Sequence, residues 1–322
     1  MTSLRFDALF TQQFLTDTVP LFVRASSVIL SCFSARNAHG AYMSSVKILV
    51  TSQKGGVGKS TVSANLSAYF ADFKSRRVTL IDFDHQATAS SWLRSCGSSA
   101  SIAVCDALGY KSAGMSVLKA KEALRLASAS SDVVIADLTW VDVFPASLFF
   151  DYDFIVIPTS LSGIELASAM DFFTRFSSVF NSKNLQAPRV ILMPNRLLDT
   201  NNHREFFNNC HFPVAFSLTS PVLFSKAAQE SFGKTFFFKH TDRMLKNSFL
   251  TVCGEIEHLI AVLVANKEKR TQTLNGVTSI ARSNNGGLLD RFVASRHAAK
   301  DKQEAVKSAA KAPGKWYAFL QR

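Results

Sequence analysis

Ten consecutive residues, Ser52-Gln53-Lys54-Gly55-Gly56-Val57-Gly58-Lys59-Ser60-Thr61, join an apolar run to a stretch of helical periodicity. Glycines in that order let backbone N–H groups close on phosphate oxygens, and a helix opening at Lys59-Ser60-Thr61 adds the partial positive charge of its N-terminus. Lys59 is placed to reach the terminal phosphates of a nucleoside triphosphate, and the Ser60 hydroxyl to ligate Mg²⁺. Gly55, Gly56, Val57, Gly58, Lys59, Ser60 and Thr61 are therefore candidate binding residues. The alternative is a glycine-rich turn without a ligand, and the Gly-Lys-Ser ending between strand and helix argues against it.

Carboxylates follow at two later strand ends. One stretch reads Leu80-Ile81-Asp82-Phe83-Asp84-His85-Gln86-Ala87, and another ends Val133-Val134-Ile135-Ala136-Asp137. Ligands of open α/β sheets bind at the carboxyl ends of the strands, so Asp82, Asp84 and Asp137 are expected beside the glycine-rich loop. Asp137 then holds a metal through water. A solvated turn and a strand-capping aspartate are the plainer alternatives.

The elements that must position these groups follow from the pattern of the chain. Short β-branched runs alternate with amphipathic stretches of helical length, the form of repeated βαβ units. Strands are expected at 46–51, 78–82, 132–137, 154–158, 189–194 and 214–216, and helices at 59–73, 87–95, 117–128, 163–180, 201–209, 221–232 and 243–266. The strands are nearly continuous in apolar residues, as a parallel sheet buried on both faces requires. The expected fold is α/β: a mostly parallel, doubly wound sheet flanked by helices, of the P-loop NTPase type.

The chain has 322 residues, 47% of them hydrophobic, enough for a substantial core. No run approaches the roughly 18 uninterrupted apolar residues of a spanning helix, which excludes an ordinary integral membrane protein. Cys32, Cys96, Cys105, Cys210 and Cys253 are scattered and never paired as C-x-x-C. That gives no disulfide framework or metal-ligand set and fits a reducing cytosol. Of the net charge of +12, residues 267–322 contribute 12 basic and 4 acidic groups, or +8. Three regions result: an arm at 1–45, a nucleotide-binding domain at 46–266 and a basic extension at 267–322, partly disordered or helical. The first 45 residues lack the βα pattern. They are either a true N-terminal arm or lie upstream of a start at Met43, the second being favoured.

The loop departs from the common G-x-x-x-x-G-K-[ST] form, with Gln53 at the first glycine and a second lysine, Lys54, after it. Lys-Gly-Gly-Val-Gly-Lys-Ser-Thr resembles the deviant Walker A loop of the ParA/MinD partition and positioning ATPases. The resemblance implies ATP and Mg²⁺ as cofactors and a nucleotide-sandwich homodimer formed on ATP binding, in which Lys54 reaches the partner subunit's phosphates; otherwise Lys54 points into solvent. Asp82-Phe83-Asp84-His85-Gln86 is similar to the family's Asp-x-Asp-Pro-Gln box, with His85 for the proline and Ala87 for the following glycine. By that likeness Asp84 helps place the attacking water and the metal, and Asp82 is a candidate metal residue with Ser60 and Asp137. Asp137 matches the Walker B aspartate, but Leu138-Thr139-Trp140 replaces the usual Thr-Pro-Pro. Met193-Pro194-Asn195-Arg196 resembles the Asn-Arg element, which implies that Asn195 contacts adenine. The matches run from about Val46 to about Asn266, in the short form that has no N-terminal helix-turn-helix domain.

For the basic extension, Gly287–Val293 and Trp316–Leu320 are apolar clusters among Lys and Arg. A nonspecific DNA-binding arm ranks first, docking onto the domain second and an interfacial membrane helix third. The combined expectation is a cytoplasmic, nucleoid-associated partition or positioning ATPase that dimerises on ATP, binds DNA nonspecifically and is released by a ParB-like or other basic activator. The competing expectation is a nucleotide-gated adaptor with little turnover, motivated by His85 and the altered segment after Asp137.

Overall fold

In the computed structural model, residues 45–105, 113–140, 144–184, 186–200 and 202–273 are described. The expectations for the N-terminal arm, Met43 and the clusters at 287–293 and 316–320 lie outside those residues. Seven parallel strands form one sheet in the order β3-β2-β4-β1-β5-β6-β7, and an eighth, β8, pairs with the end of β6. They are β1 (Val46–Ser52), β2 (Val78–Asp82), β3 (Ser101–Val104), β4 (Val133–Thr139), β5 (Phe154–Thr159), β6 (Arg189–Leu197), β7 (Ser217–Leu218) and β8 (Val222–Leu223). Helices α1 (Lys59–Ala68), α2 (Thr88–Ser95), α3 (Ala113–Ser130), α4 (Gly163–Arg175), α5 (Ser177–Phe180), α6 (His203–Asn209) and α7 (Lys226–Glu230) connect them. A last helix, α8, spans Arg243–Thr273.

β1 lies between β4 and β5, with connections leaving to both sides. The crevice at its carboxyl end is the place where such sheets bind ligands, and the glycine-rich loop follows β1 directly. β1, β4 and β5 are buried almost throughout, the consequence of covering both faces of a parallel sheet.

Several expected elements differ. The apolar stretch 214–216 supplies Val214 to the core, but the ladder forms two residues later, where Ser217 and Leu218 pair with Ile191 and Leu192. Residues 221–232 do not make one helix. Arg196 has a left-handed backbone (φ 60°) that bulges β6, so Asn195 and Leu197 pair with Val222 and Leu223. The helix α7 begins only after Ser225, whose hydroxyl caps it by accepting from the Ala227 amide at 3.1 Å. The stretch 163–180 is broken at Phe176, whose ring enters an aromatic cluster. The strand β3 has no counterpart among the expected strands; it is a short, half-exposed edge. The first helix continues from Ala68 into one π-helical turn, Tyr69–Phe73, which stacks Tyr69 on Phe73 at 5.3 Å.

The chain divides into two compact units, 1–261 and 262–322. By length and composition α8 is long and apolar enough to cross a membrane, with mean hydropathy 1.7 over its most apolar window, contrary to the expectation of no such stretch. Within the first unit its residues Leu245, Phe249, Val252, Cys253, Ile256 and Ile260 are buried, the stripe of a core helix. In the second unit, the described residues are the helical end of α8, where the Thr271 and Thr273 hydroxyls donate to carbonyls four residues back.

Candidate phosphate site

The loop between β1 and α1 is shaped by its own backbone. Gly58 sits at φ 97° and caps α1 without a side-chain acceptor, so the first amides of the helix face the loop. A Cβ at Gly58 would stand 2.3 Å from Asn195 Nδ2, so only glycine fits. At Gly55 and Gly56, both exposed, a Cβ would meet nothing within 4 Å, and the loop is open there. Val57 and Lys59 are buried, Ser60 and Thr61 partly so, and Lys54 is exposed.

Lys59 Nζ donates to the Lys54 carbonyl at 3.0 Å, which arches its side chain back over the loop. Burial pulls its ammonium below the usual lysine range, while Asp137 and Asp84 pull the other way. A desolvated ammonium folded back over the glycine loop is a ready counter-charge for phosphate.

Asp82 and Asp137 are paired partners, Asp82 at the end of β2 and Asp137 two residues before the end of β4, which runs on to Thr139 rather than stopping at Asp137 as expected. Both are buried, but their surroundings differ. Asp82 Oδ1 accepts the Asp84 amide at 3.2 Å and Oδ2 the Ser90 amide at 2.9 Å, so this carboxylate anchors the following loop. Asp137 Oδ1 accepts from the Ser63 hydroxyl at 3.1 Å. By strict hydrogen-bond geometry Asp137 Oδ2 has no donor among the described residues, although the Ser60 hydroxyl stands close enough to favour the ionised form. Burial pushes the Asp137 carboxyl up to about 7; Ser60 opposes this, Asp82 adds to it, and Ser63 and Lys59 oppose it. The Asp137 carboxylate oxygen short of a donor and the neighbouring Ser60 hydroxyl are oxygen groups of the kind that a hard divalent cation takes, and the Lys59 ammonium beside them is a counter-charge for phosphate.

Asp84 is partly exposed and its Oδ1 accepts the Gln86 amide at 2.9 Å. Ala87 keeps a left-handed backbone (φ 48°, ψ 37°) where the resembling family has glycine.

Beside the loop lies a cavity of about 240 Å³, walled by Thr61, Asn195, Val222, Phe224, Gln229 and Phe237 among others. Asn195 lines it, and its Nδ2 donates to the Val57 carbonyl at 2.9 Å, which ties β6 to the phosphate loop. Two residues of the site escaped the sequence: Ser63 and Asn65, buried polar positions on a helix that is otherwise core. Polar residues among the apolar positions of this helix were the available signal.

After Asp137 the chain enters the core. Trp140 donates its amide to the Ser52 carbonyl at 3.2 Å. Its ring stacks on Phe149 at 4.1 Å and meets Phe172 and Phe176 edge-on, and its indole N–H has no partner among the described residues.

A family model described as the CobQ/CobB/MinD/ParA nucleotide binding domain matches residues 48–311. Among solved structures, the fold is similar to McdA from Cyanothece without ligand, 16% identical over 65% of this chain and 98% of that one, with a TM-score of 0.51. An ATP complex of a variant of that McdA matches at 14% identity, 65% and 95% coverage and a TM-score of 0.51. The septum site-determining protein MinD from Pyrococcus horikoshii OT3, complexed with Mg-ADP, matches at 16% identity, 68% and 98% coverage and a TM-score of 0.51. No curated protein sequence matches the chain. At these identities the structural likenesses speak for the fold.

Proposed function

The chain belongs to the CobQ/CobB/MinD/ParA nucleotide-binding family, and from that premise we propose that it is an ATP-dependent positioning ATPase of the partition type. The observation that carries this is the buried Lys59 on the glycine loop, facing a buried Asp137 with an unpartnered oxygen. The residues fit a Mg-nucleotide: Gly55 to Thr61 would surround the phosphates, Ser60 and Asp137 would hold the cation, and the cavity beside Asn195 would take the adenine. When bound, the cation neutralises charge on the β- and γ-phosphates. Asp84 orients the attacking water, and Asp82 holds the Asp84 turn against the site through its two backbone hydrogen bonds. Lys54, exposed at the loop's edge, acts on the phosphates of a second copy in an ATP-bound homodimer.

Nonspecific DNA is the proposed surface on which the dimer sits, and a ParB-like or other basic activator triggers release. The charge of +12 supports the DNA part, because phosphate neutralisation needs clustered Lys and Arg. On this reading the protein is cytoplasmic and nucleoid-associated. Trp140 favours a second reading, a nucleotide-gated adaptor with little turnover, because the segment after Asp137 is built into the core.

The test is DNA binding at one fixed salt concentration with no nucleotide, ADP or ATP, alongside ATP turnover. Binding switched on by ATP alone, lost in Lys59→Ala, with turnover raised by DNA or activator, is the expected result for the ATPase. In Lys54→Ala nucleotide binding is retained and the ATP-dependent dimer is lost. Unchanged turnover in Lys59→Ala removes the site assignment, and ATP-gated binding without turnover selects the adaptor.

A further inference from the structure

Two buried asparagines brace the cavity beside the phosphate loop. Asn195 holds it from β6; Asn65 holds it from α1 and reaches much farther. Asn65 is fully buried. Its Nδ2 donates to the Thr61 carbonyl at 2.9 Å, one turn back on the helix that opens the phosphate site. Its Oδ1 accepts the Phe237 amide at 2.8 Å, 172 residues away in sequence. A neutral amide is the side chain of this size that offers donor and acceptor at once.

Phe237 lines the cavity and continues the path. Its ring meets that of Trp92 edge-on, centroids 5.8 Å apart. The Trp92 indole N–H donates to the Thr235 carbonyl at 3.2 Å, fixing α2 to the same wall. Two residues before Trp92 on α2, the Ser90 amide donates to Asp82 Oδ2, the carboxylate that also holds the Asp84 amide. The cavity wall and the turn carrying Asp84 are therefore joined by a continuous path: contacts link Thr61, Asn65, Phe237 and Trp92, the backbone of α2 links Trp92 to Ser90, and Ser90 bonds Asp82.

We propose that Asn65 is a positioning residue that couples occupancy of this cavity by the nucleotide base to the placement of the Asp82–Ser90 turn. The inference rests on the ATPase reading and deepens it. The base is sensed at Phe237, and the set of Asp84 depends on it, so a ligand with phosphates but no base fills the loop without arranging the turn. Packed side chains and hydrogen bonds in series are the physical means of such coupling, and it requires that the ligand with the base favour one arrangement of the turn.

The experiment uses the full-length chain with Mg²⁺ and two probes, ATP and inorganic triphosphate. Hydrogen exchange is followed at peptides covering Ser90 and Phe237. In the wild type, ATP slows exchange at both segments and triphosphate at neither. In Asn65→Ala, triphosphate affinity stays within about twofold and ATP affinity falls roughly tenfold, the size expected for one buried hydrogen bond. The protection at Ser90 is then lost, and kcat falls along with the rise in KM. Equal protection by triphosphate in the wild type overturns the proposal even if Asn65→Ala fails to fold, as does an Asn65→Ala protein protected like the wild type. A wild type that binds neither probe overturns the ATPase reading and this inference together; one that binds ATP without protection at Ser90 overturns the inference alone.

Discussion

The strands β2 and β4 run side by side with Asp82 opposite Asp137, yet the chain leaves them in opposite ways. After Asp82 it enters a partly exposed turn, through Asp84, His85 and Gln86, held by backbone hydrogen bonds to two carboxylates. After Asp137 it goes directly into a stack of aromatic rings around Trp140. The first exit satisfies its buried carboxylate with main-chain donors. The second leaves its carboxylate with an oxygen lacking a donor and packs Leu138 and Trp140 into apolar mass. Equivalent positions on neighbouring strands therefore differ in surroundings: one is followed by a partly exposed turn held by hydrogen bonds, and the other by a buried aromatic wall. Nucleotide-dependent movement should accordingly be found after β2.

The comparison is broken most directly by removing the wall. Trp140→Ala should lower stability by about 4 kcal/mol, in the range for deleting a large buried aromatic side chain. Gln86→Ala in the opposite turn should stay within about 0.5 kcal/mol. Denaturant unfolding of both variants measures the contrast, and equal costs would dissolve it.

The carboxylates supply the next test. The ordinary Asp137 value of 3.8 rises to about 7 in the folded protein, so between those limits the folded state binds a proton that the unfolded state releases. The stabilisation is complete below the unfolded value and is lost as pH rises through 7. Nucleotide-free protein should lose stability from this group between pH 4 and pH 7, by roughly 1.4 kcal/mol per pH unit at most. Asp137→Asn mimics the neutral form and should not show this loss. Thermal midpoints of both proteins at pH 5, 6, 7 and 8 decide it; parallel curves would remove the burial argument.

The smallest effect concerns the turn after β2. Ala87 holds a left-handed backbone that L-residues adopt at a cost, and Ala87→Gly should stabilise by about 1 kcal/mol or less. Turnover should change less than about twofold. Loss of stability in this variant would mean that the alanine methyl is needed where it stands.

What was legible in the chain was local. The phosphate loop is contiguous, so its glycines, Lys59 and Ser60 declare themselves together, and strand-end aspartates follow from the apolar run before them. The strands β3 and β8 were missed because two to four residues at an edge carry too little pattern. The bulge at Arg196 that makes β8 possible is a backbone event with no signature in residue type. Asn65 was missed because its meaning depends on Phe237, far along the chain.

The amino-acid sequence by itself determined the family, the parallel α/β sheet and the phosphate-binding loop, because each is written in short-range spacing that any fold of this class must repeat. Only the tertiary structure decided that Asp82 anchors a turn while Asp137 faces the site with an unpartnered oxygen, that Trp140 closes a core, and that Asn65 ties the cavity to α1. Those roles depend on which donors and rings arrive from segments as distant as 74 and 172 residues, and burial converts their presence or absence into large differences in charge and stability.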